Sequence, residues 1–103
     1  MAWFYLIIAG FLEIGWAVGI KFSQGFTRLW PSVWTILAML ASFALLAQAL
    51  RSIPVGTGYA VWTGIGAAGT ALIGMYFLGE PREFLRIVFI TMIVAGVIGL
   101  KFA

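Results

Sequence analysis

The sequence predicts an all-α integral membrane protein built from four transmembrane helices. Three observations point there. Of 103 residues, 64% are hydrophobic and only 9% charged. Four apolar segments each come close to the roughly 20 helical residues that cross about 30 Å of hydrocarbon. The links between them are short and hold most of the charge, together with Gly25, Pro54 and Pro81. A soluble domain carries about 45–50% apolar and about 25% charged residues, and a soluble chain this small could not hide so much apolar surface. The length fits one domain, residues 1–103.

The first segment runs from about Ala2 to Ile20 and is interrupted only by Glu13. It lacks a basic leading region, carries an acid within its apolar run and leads into further apolar segments, so it reads as a retained helix and not as a signal peptide. The second segment runs from about Leu29 to Leu50 without a charge, and Pro31 suits its first turn. The third is expected over about Val55 to Leu78, also uncharged, after a turn containing Pro54, Gly56 and Gly58. The fourth runs from about Phe84 to Phe102 after the turn Gly79-Glu80-Pro81-Arg82-Glu83. Its charge-free part is short, so Arg86 and Lys101 are expected to extend outward from its two ends. Short links force consecutive helices to run antiparallel. Trp3, Tyr5, Trp30 and Trp34 lie near segment ends, where interfacial aromatics belong.

Several function classes drop out at this stage. There is no Cys and no His, which removes disulfides, thiol nucleophiles and the usual soft metal sites. No nucleophile–base pair is visible, and Glu80 and Glu83 fall in a turn where charge is ordinarily solvated, so no enzyme is expected. No cofactor is expected either, apart from protons as a coupling ion. The net charge of +3 sits at the ends of apolar runs, within reach of lipid headgroups, and offers no basic face for nucleic acid.

Lys21, Arg28, Arg82 and Arg86 fall on one side of the membrane, and Arg51, Lys101 and both termini on the other. The positive-inside rule then puts the termini outside, but so small a bias also permits insertion in both orientations. The two halves of the chain show no internal repeat. Transporters often use inverted repeats to give two mirror-related states similar energies. Two copies inserted in opposite directions would supply that symmetry, so an antiparallel, dual-topology homodimer is the expected assembly.

Glu13 is the most informative residue. It lies about 18 Å along the first helix at 1.5 Å per residue, near mid-membrane. A charge there is costly, and such residues mark functional sites by default. Loss of hydration disfavours the charged form of a carboxylate, so a group in this position can exchange a proton near ordinary pH. Deprotonated, it attracts a cation; reprotonated, it releases it. No Lys or Arg lies at membrane depth in another segment to pair with it. The plainer alternative is a protonated glutamic acid hydrogen-bonded between helices.

Helical spacing places Ala9 and Gly10 one turn before Glu13, and Trp16 and Ala17 one turn after. The small residues leave room for a ligand or for close helix approach. Trp16 offers an indole N–H and a ring face, or simple packing. On the second helix Ser42 can serve a carboxylate or an indole, or bond to a carbonyl one turn back; Met39 and Phe43 flank it. On the third helix Tyr59, Trp62 and Gly66 share a face, and the two aromatics could stack on a delocalised cation. Gly64 and Gly66 allow either a conformational hinge or close packing. On the fourth, Ala95, Gly96 and Gly99 make a small-residue seam on the helix poorest in polar side chains, which makes it the natural dimerisation helix.

These residues resemble the small multidrug resistance family along the whole chain. The resemblance is carried by Glu13; by Lys21-Phe22-Ser23-Gln24-Gly25-Phe26-Thr27-Arg28; by Ala41-Ser42-Phe43; and by the stretch from Ile53-Pro54-Val55-Gly56 through Trp62-Thr63-Gly64-Ile65-Gly66. Within that family the chain resembles the guanidinium-exporting subtype: Trp16, Ala17 and Met39 stand where the multidrug subtype usually has Gly, Thr and Tyr. The segment ending in Ala67 and the ending Gly99-Leu100-Lys101 also look like that subtype, while Arg28 to Val33 is shared with multidrug members.

The resemblance implies a multi-pass protein of a bacterial inner (plasma) membrane. It implies an antiparallel homodimer in which both Glu13 side chains meet at a central site, with proton-coupled antiport by alternating access. Glu13 would bind proton and substrate in turn. Trp16 and Ser42 would hydrogen-bond around it, Gly10, Met39, Phe43, Tyr59 and Trp62 would complete the pocket, and the fourth helix would pair the subunits. A planar cation with donors on every edge suits a carboxylate fork. The cargo the resemblance implies is guanidinium and small substituted guanidinium cations, with two protons returning per cation. The alternative is a multidrug exporter of quaternary ammonium and other hydrophobic cations, which lack the donors for that fork. An uncoupled channel would conduct whatever the protonation of Glu13.

Overall fold

A computed structural model describes all residues, Met1–Ala103. The chain forms four helices and no strand: α1 (Ala2–Phe22), α2 (Leu29–Ala49), α3 (Val55–Phe77) and α4 (Phe84–Phe102). All four are long and apolar enough to cross a membrane. The first helix continues through Lys21 and Phe22 because Ser23 receives its end. The Ser23 hydroxyl donates to the Ile20 carbonyl at 2.7 Å and accepts the Phe26 N–H at 3.0 Å. The chain then reverses through three consecutive left-handed residues, Gln24, Gly25 and Phe26. Only glycine adopts that region freely, so the two flanking residues are held there by the bonds that converge on Ser23, which is fully buried. The third helix ends the same way at Gly79, whose φ is +73°, while the Leu78 and Glu80 N–H groups both donate to the Gly74 carbonyl.

Side-chain pairs fix how the helices lie. Ala9 meets Ser42, Gly19 meets Thr35 and Phe22 meets Trp34, so α1 and α2 are antiparallel. Gly10 meets Ile65, Glu13 meets Gly66 and Ile14 meets Gly69, ascending in both helices, so α1 and α3 run the same way. The fourth helix packs against α3 alone, with Val97 and Ile93 over Gly64. The resulting order is α2–α1–α3–α4, with a slight contact of α2 on α3. Lys101 reaches from the end of α4 to sit 5.1 Å from the Trp3 ring centre, and Arg82 lies 5.6 Å from that of Tyr76. These two cations are therefore placed at opposite ends of the helices, beside aromatic residues, as membrane interfaces favour.

The order of packing makes a slab, 39 × 34 × 16 Å across its Cα atoms. Only 17 of 103 residues are buried, and none of these is on α4. The core is a small cluster of Leu6, Ala9, Ala49, Ile53, Val61 and Trp62 where the first three helices meet. So thin a layer leaves most apolar side chains for lipid or for another chain to cover.

Candidate functional site

The carboxylate of Glu13 sits against Gly66 of α3. A Cβ at that glycine would collide with the carboxyl group, so the missing side chain is what makes room for it. Glu13 is half-buried, and its Oε1 is buried without a hydrogen-bond partner. An unpaired polar atom away from water is costly, which marks a group awaiting a proton or a ligand. It lines a cavity of about 490 Å³ between α1 and α3. Thr63, Gly66 and Thr70 of α3 line the same cavity. One end is lined by Lys21, Glu80 and Arg86, with Arg86 3.8 Å from the Glu80 carboxylate. These residues lie where α1 and α3 end, so the cavity leads from mid-membrane to the side bearing the α1–α2 and α3–α4 links.

The aromatic residues gather elsewhere. Trp62 donates its indole N–H to Ser42 at 2.9 Å, and Ser42 donates to the Ala9 carbonyl at 2.7 Å. This relay ties α3 to α2 to α1 through groups that are all buried. Phe43 stands edge-on to both Trp16 and Trp62, with ring centres 6.2 and 5.7 Å away, and Tyr59 is 5.7 Å from Trp62. Trp16, Phe43, Trp62 and Tyr59 thus form a continuous aromatic row across three helices.

The structure gives several sequence-derived positions other neighbours than expected. Ser42 spends its only proton on Ala9, so it holds the helices together and orients Trp62 and does not donate to Glu13. The Trp16 N–H has no partner within the chain, Glu13 included. Gly10 is a packing position, since a Cβ there would press on Ile65. Met39 is half-buried, and it stands outside the Glu13 cavity, as do Gly10, Trp16, Ser42, Phe43, Tyr59 and Trp62. The suggested hinge is an unbroken stretch of α3: Gly66 admits Glu13, and Gly64 admits Val97 of α4. Close approach, the second of the two openings for these glycines, is what the structure displays. Ala95, Gly96 and Gly99 are exposed, and a Cβ at either glycine would meet nothing in the chain.

Sequence reading missed Thr70 and did not single out the hydroxyl of Thr63. The available signal was spacing: residues 63, 66 and 70 fall on one face of α3, and that face becomes meaningful once Gly66 is placed against Glu13.

The chain matches the family described as Small Multidrug Resistance protein over residues 1–93. It is 57% identical over 103 residues to a protein of Yersinia pseudotuberculosis serotype I (strain IP32953) named Guanidinium exporter, covering 100% of this chain and 99% of that one. A relative of the same name from Escherichia coli (strain K12) is 56% identical over 101 residues, 98% of this chain and 96% of the other. Another, from Citrobacter freundii, is 55% identical over 101 residues, with the same shares covered.

Proposed function

This chain belongs to the small multidrug resistance family, and we propose that it exports guanidinium and small substituted guanidinium cations in exchange for protons. It is a multi-pass membrane transporter and not an enzyme. The observation that carries the reading is the buried, unpartnered Glu13 oxygen in a cavity that runs to one face of the membrane. Deprotonated, that carboxylate offers two acceptor oxygens in a fork that matches one edge of a planar guanidinium. Protonated, it has neither the charge nor the second free acceptor to hold the cation. One group that hosts either guest, but not both, couples the two fluxes. Relatives named for guanidinium export at 55–57% identity over nearly the whole chain support the choice of cargo.

The working unit in this proposal is an antiparallel homodimer in the bacterial inner membrane. Three features support it. The slab buries few of its own residues. The small-residue face of α4 is open. The Trp16 N–H lacks a partner, and a second Glu13 brought close by a partner subunit is the kind of acceptor it needs. With two carboxylates per site, two protons return for each monovalent cation, so the exchange moves net charge and responds to membrane voltage. Residues of the aromatic row would wall the shared site, and Gly64 and Gly66 would be the hinge about which α3 rocks as access alternates.

Reconstituted protein should acidify or alkalinise vesicles, according to gradient direction, when guanidinium is added, and should do so far less for tetrapropylammonium. The reverse preference would assign the chain to quaternary ammonium export, for which the exposed faces of Phe43 and Tyr59 would be the binding surface. Single cysteines placed in the otherwise Cys-free chain at the α1–α2 link should label from both sides of the membrane. Labelling from one side alone would contradict the opposed dimer.

A further inference from the structure

Two hydroxyls of α3 stand apart from other hydroxyls on the helices. Ser32, Thr35 and Thr91 donate to the carbonyl one turn back, at 2.5, 2.6 and 2.8 Å. That bond is the usual resting place of a hydroxyl on a membrane helix. Thr63 and Thr70 do not make it. Both hydroxyl oxygens are buried, both lack any partner, and both residues line the cavity that holds Glu13. Neither hydroxyl is committed to another group of the chain, so each is free to accept a donor that enters the cavity.

Their placement separates their tasks. Gly66 marks the level of the Glu13 carboxyl on α3. Thr63 lies about 4.5 Å deeper along the axis and Thr70 about 6 Å nearer the charged mouth, at 1.5 Å per residue. The two are about 10.5 Å apart along the helix, too far to grip one small cation together. A guanidinium whose one edge is held by a carboxylate fork still has donors on its other edges, and each gains from an acceptor on the cavity wall.

We propose that the Thr63 hydroxyl accepts an N–H of the cation bound at Glu13, and that the Thr70 hydroxyl is the acceptor the same cation meets on its way between the mouth and Glu13. This rests on the guanidinium-export reading. It makes Thr63 a determinant of specificity, since it rewards a donor-bearing cation and offers nothing to a quaternary one. It makes Thr70 a determinant of rate, since a group visited only in passing changes the speed of loading and not the equilibrium at Glu13.

Valine matches threonine in shape and lacks the hydroxyl; serine keeps it. Full-length protein bearing Thr63→Val, Thr63→Ser, Thr70→Val or Thr70→Ser is measured for guanidinium binding by intrinsic tryptophan fluorescence and for guanidinium-driven proton flux in proteoliposomes. Thr63→Val should weaken guanidinium affinity about 5- to 10-fold, the worth of one net hydrogen bond, and Thr63→Ser should restore it to within about 2-fold. Thr70→Val should leave affinity within about 2-fold while slowing flux at least about 3-fold, again rescued by serine. Unchanged affinity in Thr63→Val, serine variants as impaired as the valine ones, or equal loss of affinity at both positions would overturn the assignment. Wild-type protein that binds no guanidinium would instead sink the export reading itself.

Discussion

Glu13→Gln should abolish guanidinium-driven proton movement, lowering it at least about 100-fold. Glutamine keeps the length and one acceptor oxygen, so the contact with Gly66 survives. What it removes is the ionisable group. A hydrogen bond to a charged partner contributes about 1.5–3 kcal/mol, and each 1.4 kcal/mol is a factor of about ten in affinity. Loss of a two-pronged charged contact therefore accounts for two decades or more, and the loss of a protonation site removes coupling altogether. The fold should not suffer, because a buried carboxylate oxygen without a partner stabilises nothing that an amide would forfeit. Flux assays on proteoliposomes, set beside thermal unfolding in detergent, separate the two effects. A variant that still moves protons on addition of guanidinium would contradict the role given to Glu13.

Gly66→Ala is the second large effect. The added methyl group would occupy the place of the Glu13 carboxyl. Either the carboxyl swings out of its seat or α3 backs away from α1. Overpacking of this kind typically costs about 1–3 kcal/mol, and displacement of the Glu13 carboxyl in each subunit should weaken guanidinium binding about 10- to 100-fold. Gly56→Ala is the matched control on the same helix: its methyl group meets no atom of the chain, so guanidinium binding should be spared. Binding titrations together with the oligomeric state in detergent distinguish these outcomes. Gly66→Ala protein with wild-type affinity would mean that the carboxyl does not act from the seat described.

Much of this was legible in the residues. The spans follow from apolar runs separated by charged turns, and a lone acid at mid-membrane identifies itself by its cost. The lateral order α2–α1–α3–α4 was not legible, because every helix is apolar on most of its surface and no one stripe names a neighbour. The role of Gly66 was hidden for a related reason: a glycine in a membrane helix suits bending and close contact equally, and only the opposing Glu13 decides. Ser42 was recognised as unusual, yet its partners, Trp62 and the Ala9 carbonyl, depend on three helices meeting at one depth. Thr63 and Thr70 are chemically indistinguishable in sequence from Thr35 and Thr91. Which hydroxyl turns back on its own helix and which faces a cavity is settled by packing.

The claim on which the rest depends is that proton and cation compete for the Glu13 carboxylate. The direct measurement is guanidinium affinity as a function of pH between about 5 and 9 in wild-type protein. The cation binds the deprotonated form alone, so acid should weaken binding, approaching about tenfold per pH unit for each carboxylate once protonation dominates, with a plateau toward alkaline pH. Affinity that stays constant over the whole range would contradict the account.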